Sequence, residues 1–226
     1  MSKLDNRAEV ALSFLRRIAQ NNNREWFHAH RELYDEARAA FESMVADLIP
    51  QLAQVDEAVG RLTVKDCTYR FYRDTRFSVD KSPYKQHFGA YLAPHGKKAL
   101  QGGYYLHLEP DNCMLAGGAY CLPTKVLRAV RRSIVDELEE FRGIVETPDF
   151  QAYFPVIGME HLRTLPQGFP KDFPFPQYLR PKDYSCSHNV PDTFFAKACW
   201  LDKSVRIFSI MKPFLDFVNY AIDEEA

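Results

Sequence analysis

Apolar residues recur at steps of three and four at both ends of the chain and once in its middle, and at steps of two between. Behind Asn6 and Glu9, which read as a capping box, Ala11, Phe14, Leu15 and Ile18 predict a first helix. It should stop at Asn21-Asn22-Asn23, with Asn23 capping a second helix. That helix carries Trp26, Phe27, Tyr34, Ala37, Phe41, Met44, Val45, Leu48 and Leu52 as a wide stripe, and Pro50 is expected to kink or end it near Ile49. Pro123, read as a first helical position, opens a third helix with Leu127, Val130, Ile134, Leu138 and Phe141 on one side. The last helix, Val205 to Ile222, buries Phe208, Met211, Phe214, Leu215 and Val218 and holds Pro213 inside it.

After Gly60 the period shortens to two. Cys67 to Arg73 alternates, His87 to Leu92 reads as a short strand closed by Pro94-His95-Gly96, and Tyr104–Glu109 with Cys113–Tyr120 makes a hairpin around Pro110-Asp111-Asn112. Between Thr147 and Pro191 prolines and aromatics predict an ordered wrapping segment, with an edge strand at Tyr184 to Asn189 and a short helix from Asp192 to Trp200. Short strands with tight connections imply an antiparallel meander. The expected fold is α+β: a sheet of about four strands covered by N-terminal, central and C-terminal helices, as one domain over residues 1–226.

Charge and cysteine usage narrow the setting. The formal net charge of −1 argues against attraction of the whole molecule to nucleic acid or an anionic membrane. Locally the balance differs: Arg61 to Lys98 holds nine Lys/Arg and three Asp, which points that segment toward an anionic partner. Five cysteines without a C-x-x-C pair read as reduced thiols, and no apolar run approaches the ~18 residues of a membrane span. A cytoplasmic protein is expected.

The candidate chemistry lies in residues 70–85. Arg70, Arg73, Arg76, Lys81 and Lys85 are interleaved there with Asp74, Asp80, Phe71, Tyr72, Phe77 and Tyr84, a mixture that neither helical nor strand periodicity explains. The ligand-binding set read from it is Arg70, Arg73, Asp74, Arg76, Asp80, Lys81, Tyr84 and Lys85, because guanidinium forks suit phosphate and carboxylate oxygens. The competing reading makes the same charges an internal network of ion pairs that clamps a loop. Were the site catalytic, Lys81 would be its base or nucleophile, with Tyr84 and Asp74 exchanging protons. Gly102-Gly103 and Gly117-Gly118 lack the context of nucleotide loops and read as strand ends or bulges. His107, alternating with Tyr105 and Glu109, would join a polar site, although its ordinary reading is a half-buried strand residue. His28 and His30 diverge on a helix, so no metal site and no cofactor is read from the spacing.

The string Arg70-x-x-Arg73-Asp74-x-Arg76-Phe77-x-x-Asp80-Lys81-x-x-Tyr84 resembles the signature of a domain-of-unknown-function family. Its members are bacterial proteins of about this length, and it also occurs as a domain of larger fungal proteins. The likeness extends to Asn21–Phe27 and to Gly102-Gly103-Tyr104-Tyr105. It implies a place of interest and no mechanism. The functional expectation is a small anionic or phosphate-bearing ligand in a cationic cleft of residues 70–85, with catalysis left open. The alternative is a non-catalytic protein-interaction module, and nucleic acid, with aromatics to stack on bases, is a third and weaker reading.

Overall fold

A computed structural model of the chain describes residues 5–225. The first apolar pattern forms α1 (Arg7–Gln20), with Phe14, Leu15 and Ile18 buried. The Asn6 side chain makes no cap. Asp5 takes that role, accepting from the Arg7 backbone N–H at 3.0 Å and from its guanidinium at 2.6 Å. Asp5 also accepts from Trp200 Nε1 at 2.9 Å, which ties the start of the described chain to its last helix.

Asn23 caps α2 (Arg24–Ala29) by accepting from the Trp26 N–H at 2.9 Å. The continuous second helix expected here is broken at His30. Its backbone leaves helical geometry (φ −120°, ψ 30°), and its ring Nδ1 lies 2.8 Å from the Trp26 carbonyl. A side chain that competes for a helical carbonyl loosens the turn. The stripe resumes in α3 (Arg31–Leu52), where Pro50 sits in the last turn without ending the helix.

The strand expected from Cys67 to Arg73 is absent among the described residues. Asp66 Oδ2 accepts from the Thr63 N–H at 2.8 Å and from its hydroxyl at 2.6 Å, and this capping box winds α4 (Val64–Cys67). Beyond it only Thr68 and Tyr72 make single antiparallel bridges, to Ala90 and Tyr84.

The sheet begins at β1 (Phe88–Leu92) and continues through β2 (Gly103–Leu108) and β3 (Cys113–Ala119). Three helices follow: α5 (Thr124–Asp136), with Pro123 as the residue before it, α6 (Leu138–Val145) and α7 (Pro148–Tyr153). The single helix expected across Leu127 to Phe141 breaks at Glu137 (φ −117°, ψ 46°). Then β4 (Tyr184–Val190) completes the sheet, and a 3-10 turn, Asp192–Phe194, in place of the short helix expected there leads to α8 (Trp200–Glu225). All pairings are antiparallel in the order β1-β2-β3-β4, so the protein is an α+β meander. Among the described residues no helix is long and apolar enough to cross a membrane.

Strand alternation gives the sheet two unlike faces. The inner face, with Phe88, Ala90, Leu106, Leu108 and Leu115 buried, packs on α1, α3 and α8 through contacts such as Phe41 on Phe88 and Phe208 on Tyr104. The outer face follows from the register. One row across it is Gly89, His107, Met114 and Asn189, and the next is Tyr91, Tyr105, Ala116 and Ser187. Ser187 and Asn189 are exposed, and Tyr91 and Tyr105 half-buried.

Two predictions test this frame. Gly118 has φ +116°, and a Cβ there would run into the Tyr184 carbonyl and Ser185 Cα. Gly118→Ala should therefore separate β3 from β4 and lower Tm by about 5–10 °C, a cost of roughly 3 kcal/mol; an unchanged melting curve would refute the close approach. Hydrogen bonding from Arg7, opposed by burial, holds the Asp5 carboxyl at about 2 against an ordinary 3.8. The unfolded chain is protonated first as pH falls, so this contribution is complete above about pH 4 and lost as pH drops through about 2. Asp5→Asn should lower Tm at neutral pH, with the difference from wild type shrinking toward pH 2 in a series of thermal melts.

Candidate functional site

Residues 70–85 form an excursion whose base is held by aromatic packing. Phe71 and Tyr84 are buried; the Tyr84 ring stacks on Phe27 at 4.1 Å, and Phe71 lies 5.3 Å from Phe88. The two arms are joined by Arg73 N–H to the Pro83 carbonyl and Lys85 N–H to the Phe71 carbonyl, both at 2.9 Å. Asn22 closes the base from the side. Its Nδ2 donates to the Tyr84 carbonyl at 2.9 Å, and its Oδ1 accepts from the Tyr84 N–H at 3.1 Å. The side-chain amide thus pairs with the backbone as a neighbouring strand would. Tyr84, one of the expected ligand residues, is part of the core.

At the tip the charges are turned on one another. Arg73 reaches Asp80 and the Ser82 hydroxyl. Arg76 grips Asp74 with two parallel bonds, Nε to Oδ1 at 3.0 Å and Nη2 to Oδ2 at 2.7 Å. The Ser82 N–H first, then the Arg73 guanidinium, holds the Asp80 carboxyl down at about 2; Arg76 does the same for Asp74, also at about 2. Lys81, the residue a catalytic reading would favour, donates from Nζ to the Thr75 carbonyl at 2.9 Å. Phe77 and Val79 stand 96% and 100% exposed beside these pairs.

Two cations of the segment are placed otherwise. Among the described residues Arg70 and Lys85, like Lys81, form no ion pair with a carboxylate, and unlike Lys81 they are not tied to a carbonyl of the tip. Arg70 is exposed. Lys85 is half-buried with Nζ 5.2 Å from the centroid of Tyr69, and burial, then the charge of Arg70, lowers its pKa. Lys85 leads within two residues to His87, the residue immediately before β1.

His87 belongs to a cluster that the sequence showed only in part. Its ring lies 4.6 Å from that of His107, centroid to centroid. His107 is 7% exposed; its Nε2 is 3.1 Å from Glu109 Oε2, and its Nδ1 3.0 Å from the Tyr105 hydroxyl. Asn112 Nδ2 donates to the same Glu109 oxygen at 2.6 Å. Burial, aided by His107 and Lys85, pushes His87 down to about 4, so its imidazole is neutral at pH 7. Burial also lowers His107 against the pull of Glu109. The alternation Tyr105-x-His107-x-Glu109 was legible as one strand face. Nothing local to the sequence joined it to His87.

A family described as "Conserved hypothetical protein (DUF2461)" matches residues 10–217. The chain belongs to this family. The match takes in the excursion, the whole sheet and the histidine cluster, and the description carries no reaction with it. Neither the curated proteins nor the solved structures gave a match.

Family membership therefore leaves the chemistry to the side chains. Two surface depressions, of about 330 and 290 Å³, lie in the α1–α3 and α3–α8 grooves. Neither is lined by a residue of the excursion or by an imidazole. The gathering of Arg70, Lys85, Tyr69, His87, His107 and Glu109 at the β1–β2 end is the stronger candidate, because it places cations, neutral imidazoles and a carboxylate at one part of the sheet. The tip of the excursion is tied by exposed pairs, which contribute little to global stability. Asp80→Asn should leave Tm within about 3 °C of wild type and increase amide exchange and protease cleavage across residues 74–81. A large drop in Tm would instead make the tip part of the cooperative core.

Proposed function

We propose that this is a cytoplasmic protein that binds a small anionic or phosphate-bearing ligand, anchored by Arg70 and Lys85 where the excursion meets the outer face of β1 and β2. The observation that carries this reading is the division among the five cations. Arg73 and Arg76 are matched by Asp80 and Asp74, and Lys81 by a carbonyl, whereas Arg70, whose charge reaches Asp74 only at longer range, and Lys85 make no ion pair with a carboxylate among the described residues. An ammonium kept half-buried without a counter-ion favours an anion that replaces its lost hydration. Tyr69 and the neutral His87 add an aromatic surface and a hydrogen-bonding nitrogen beside it. The five cysteines are all free thiols, which accords with a reducing compartment.

A second reading is favoured by a different observation. Phe77 and Val79 present apolar side chains fully to solvent on a loop braced by ion pairs, as a protein-docking tip would. The two readings differ in which residues matter.

Thermal-shift titration with inorganic phosphate, phosphorylated metabolites and nucleotides decides between them. At a hundredfold excess over Kd a ligand adds about 2.7 kcal/mol, a rise in Tm of roughly 5–10 °C. The rise should disappear in Arg70→Ala and in Lys85→Met and persist in Arg76→Ala and Phe77→Ser. No stabilisation by any compound, or equal stabilisation of Arg70→Ala and wild type, would overturn the anion reading.

A further inference from the structure

His87, His107 and Glu109 each offer one donor atom, and the three atoms all lie within 4.8 Å of one another. Of these, His107 Nε2 and Glu109 Oε2 are separated by 3.1 Å. Two donors each bonded to a dication at about 2.1 Å stand about 3.0 Å apart at right angles and about 3.4 Å apart at the tetrahedral angle, so this pair already has the spacing of neighbouring ligands. Rotation about its side-chain torsions can carry the His87 donor, which starts within 4.8 Å of the other two, into the same shell.

We propose that His87, His107 and Glu109 form a binding site for a first-row transition-metal dication of the zinc or iron(II) type. Two imidazoles and one carboxylate suit such ions, whereas magnesium and calcium take oxygen ligands throughout. Three protein ligands leave coordination positions for water or for an oxygen of a ligand, the arrangement of catalytic rather than structural metal centres. A paired His107–Glu109 alone would account for two of the three groups. It gives no reason for a second imidazole to lie 4.6 Å from the first, tilted by 33°.

The surrounding groups supply an independent argument. Metal-binding imidazoles are held by a hydrogen bond at the nitrogen that does not bind the metal, and metal-binding carboxylates are hydrogen-bonded in turn. His107 has the Tyr105 hydroxyl 3.0 Å from Nδ1, on the ring edge away from Glu109, and Glu109 has the Asn112 amide. The Tyr105 ring reaches that position because Gly89, opposite His107 in the register, has no Cβ to obstruct its hydroxyl. With metal on Nε2, the His107 proton resides on Nδ1 and is donated to the Tyr105 oxygen.

The inference stands apart from the anion reading, since the metal alone tests it. Full-length protein stripped with chelator is titrated with Co²⁺, followed by its visible absorption bands, and with Zn²⁺, followed by calorimetry. One equivalent should bind. Affinity should fall at least tenfold in His87→Asn and in Glu109→Gln, and by about tenfold in Tyr105→Phe, and remain at the wild-type value in His28→Gln, which removes an exposed imidazole elsewhere. Thermal melts of the stripped variants show that each is folded. Absence of binding, or equal binding by wild type, His87→Asn and Glu109→Gln, overturns the proposal.

Discussion

The stack of Phe27 on Tyr84, with Phe71 beside it, governs where everything charged in this protein can be. These rings belong to a continuous aromatic cluster that also includes Phe14, Tyr34, Phe41 and Phe88 and so joins α1, α2, α3 and β1. Because both ends of the 70–85 excursion are pinned into that cluster, the polar residues between them are displaced outward, and those that flank them emerge at fixed points. Lys85 and His87 follow Tyr84 directly into β1. Asn22 adds two hydrogen bonds to the same tyrosine's backbone, so the triplet that ends α1 also locks the base of the excursion. Burial of large rings supplies the free energy, and the amide bonds supply the register.

A sheet with one helical layer leaves a face that helices do not fill. Here that face is furnished with tyrosine, histidine and small residues in place of the apolar side chains of the inner face. Its β1–β2 end becomes the place where unlike polar groups meet at low hydration. There the low local dielectric strengthens hydrogen bonds and keeps imidazoles neutral. The exposed tip of the excursion behaves in the opposite way. Its ion pairs lie in water, where they orient loops more than they stabilise folds. One charged motif thus has two physically different halves, an exposed tip of ion pairs and a half-buried base against the sheet.

Much of the architecture was legible because it is set locally. The stripes of α1, α3, α5 and α8, the β2–β3 hairpin and the edge strand β4 all follow from periodicity and turn residues close in sequence. The failures were also local in origin. Alternation from Cys67 to Arg73 imitates a strand, yet the Thr63–Asp66 capping box winds its first residues into a helical turn, and the rest finds single bridges in place of a full partner strand. The apolar stripe runs unbroken past His30, but its ring competes for the Trp26 carbonyl and splits the helix. Tyr84 stands among charges in the sequence, and its place in the core depends on Phe27, far back in the chain.

By itself, then, the sequence determined the kind of each main element, the α+β meander and the segment where charge is concentrated, since short-range sterics and hydrophobic spacing decide these. Only the tertiary structure decided which of the five cations meet a carboxylate and which do not. It alone joined His87 to His107 and Glu109, through a β1–β2 register that sets Gly89 against His107. Coulomb and hydrogen-bond interactions act over a few ångströms in space, and nothing in the linear spacing of those residues encodes that distance.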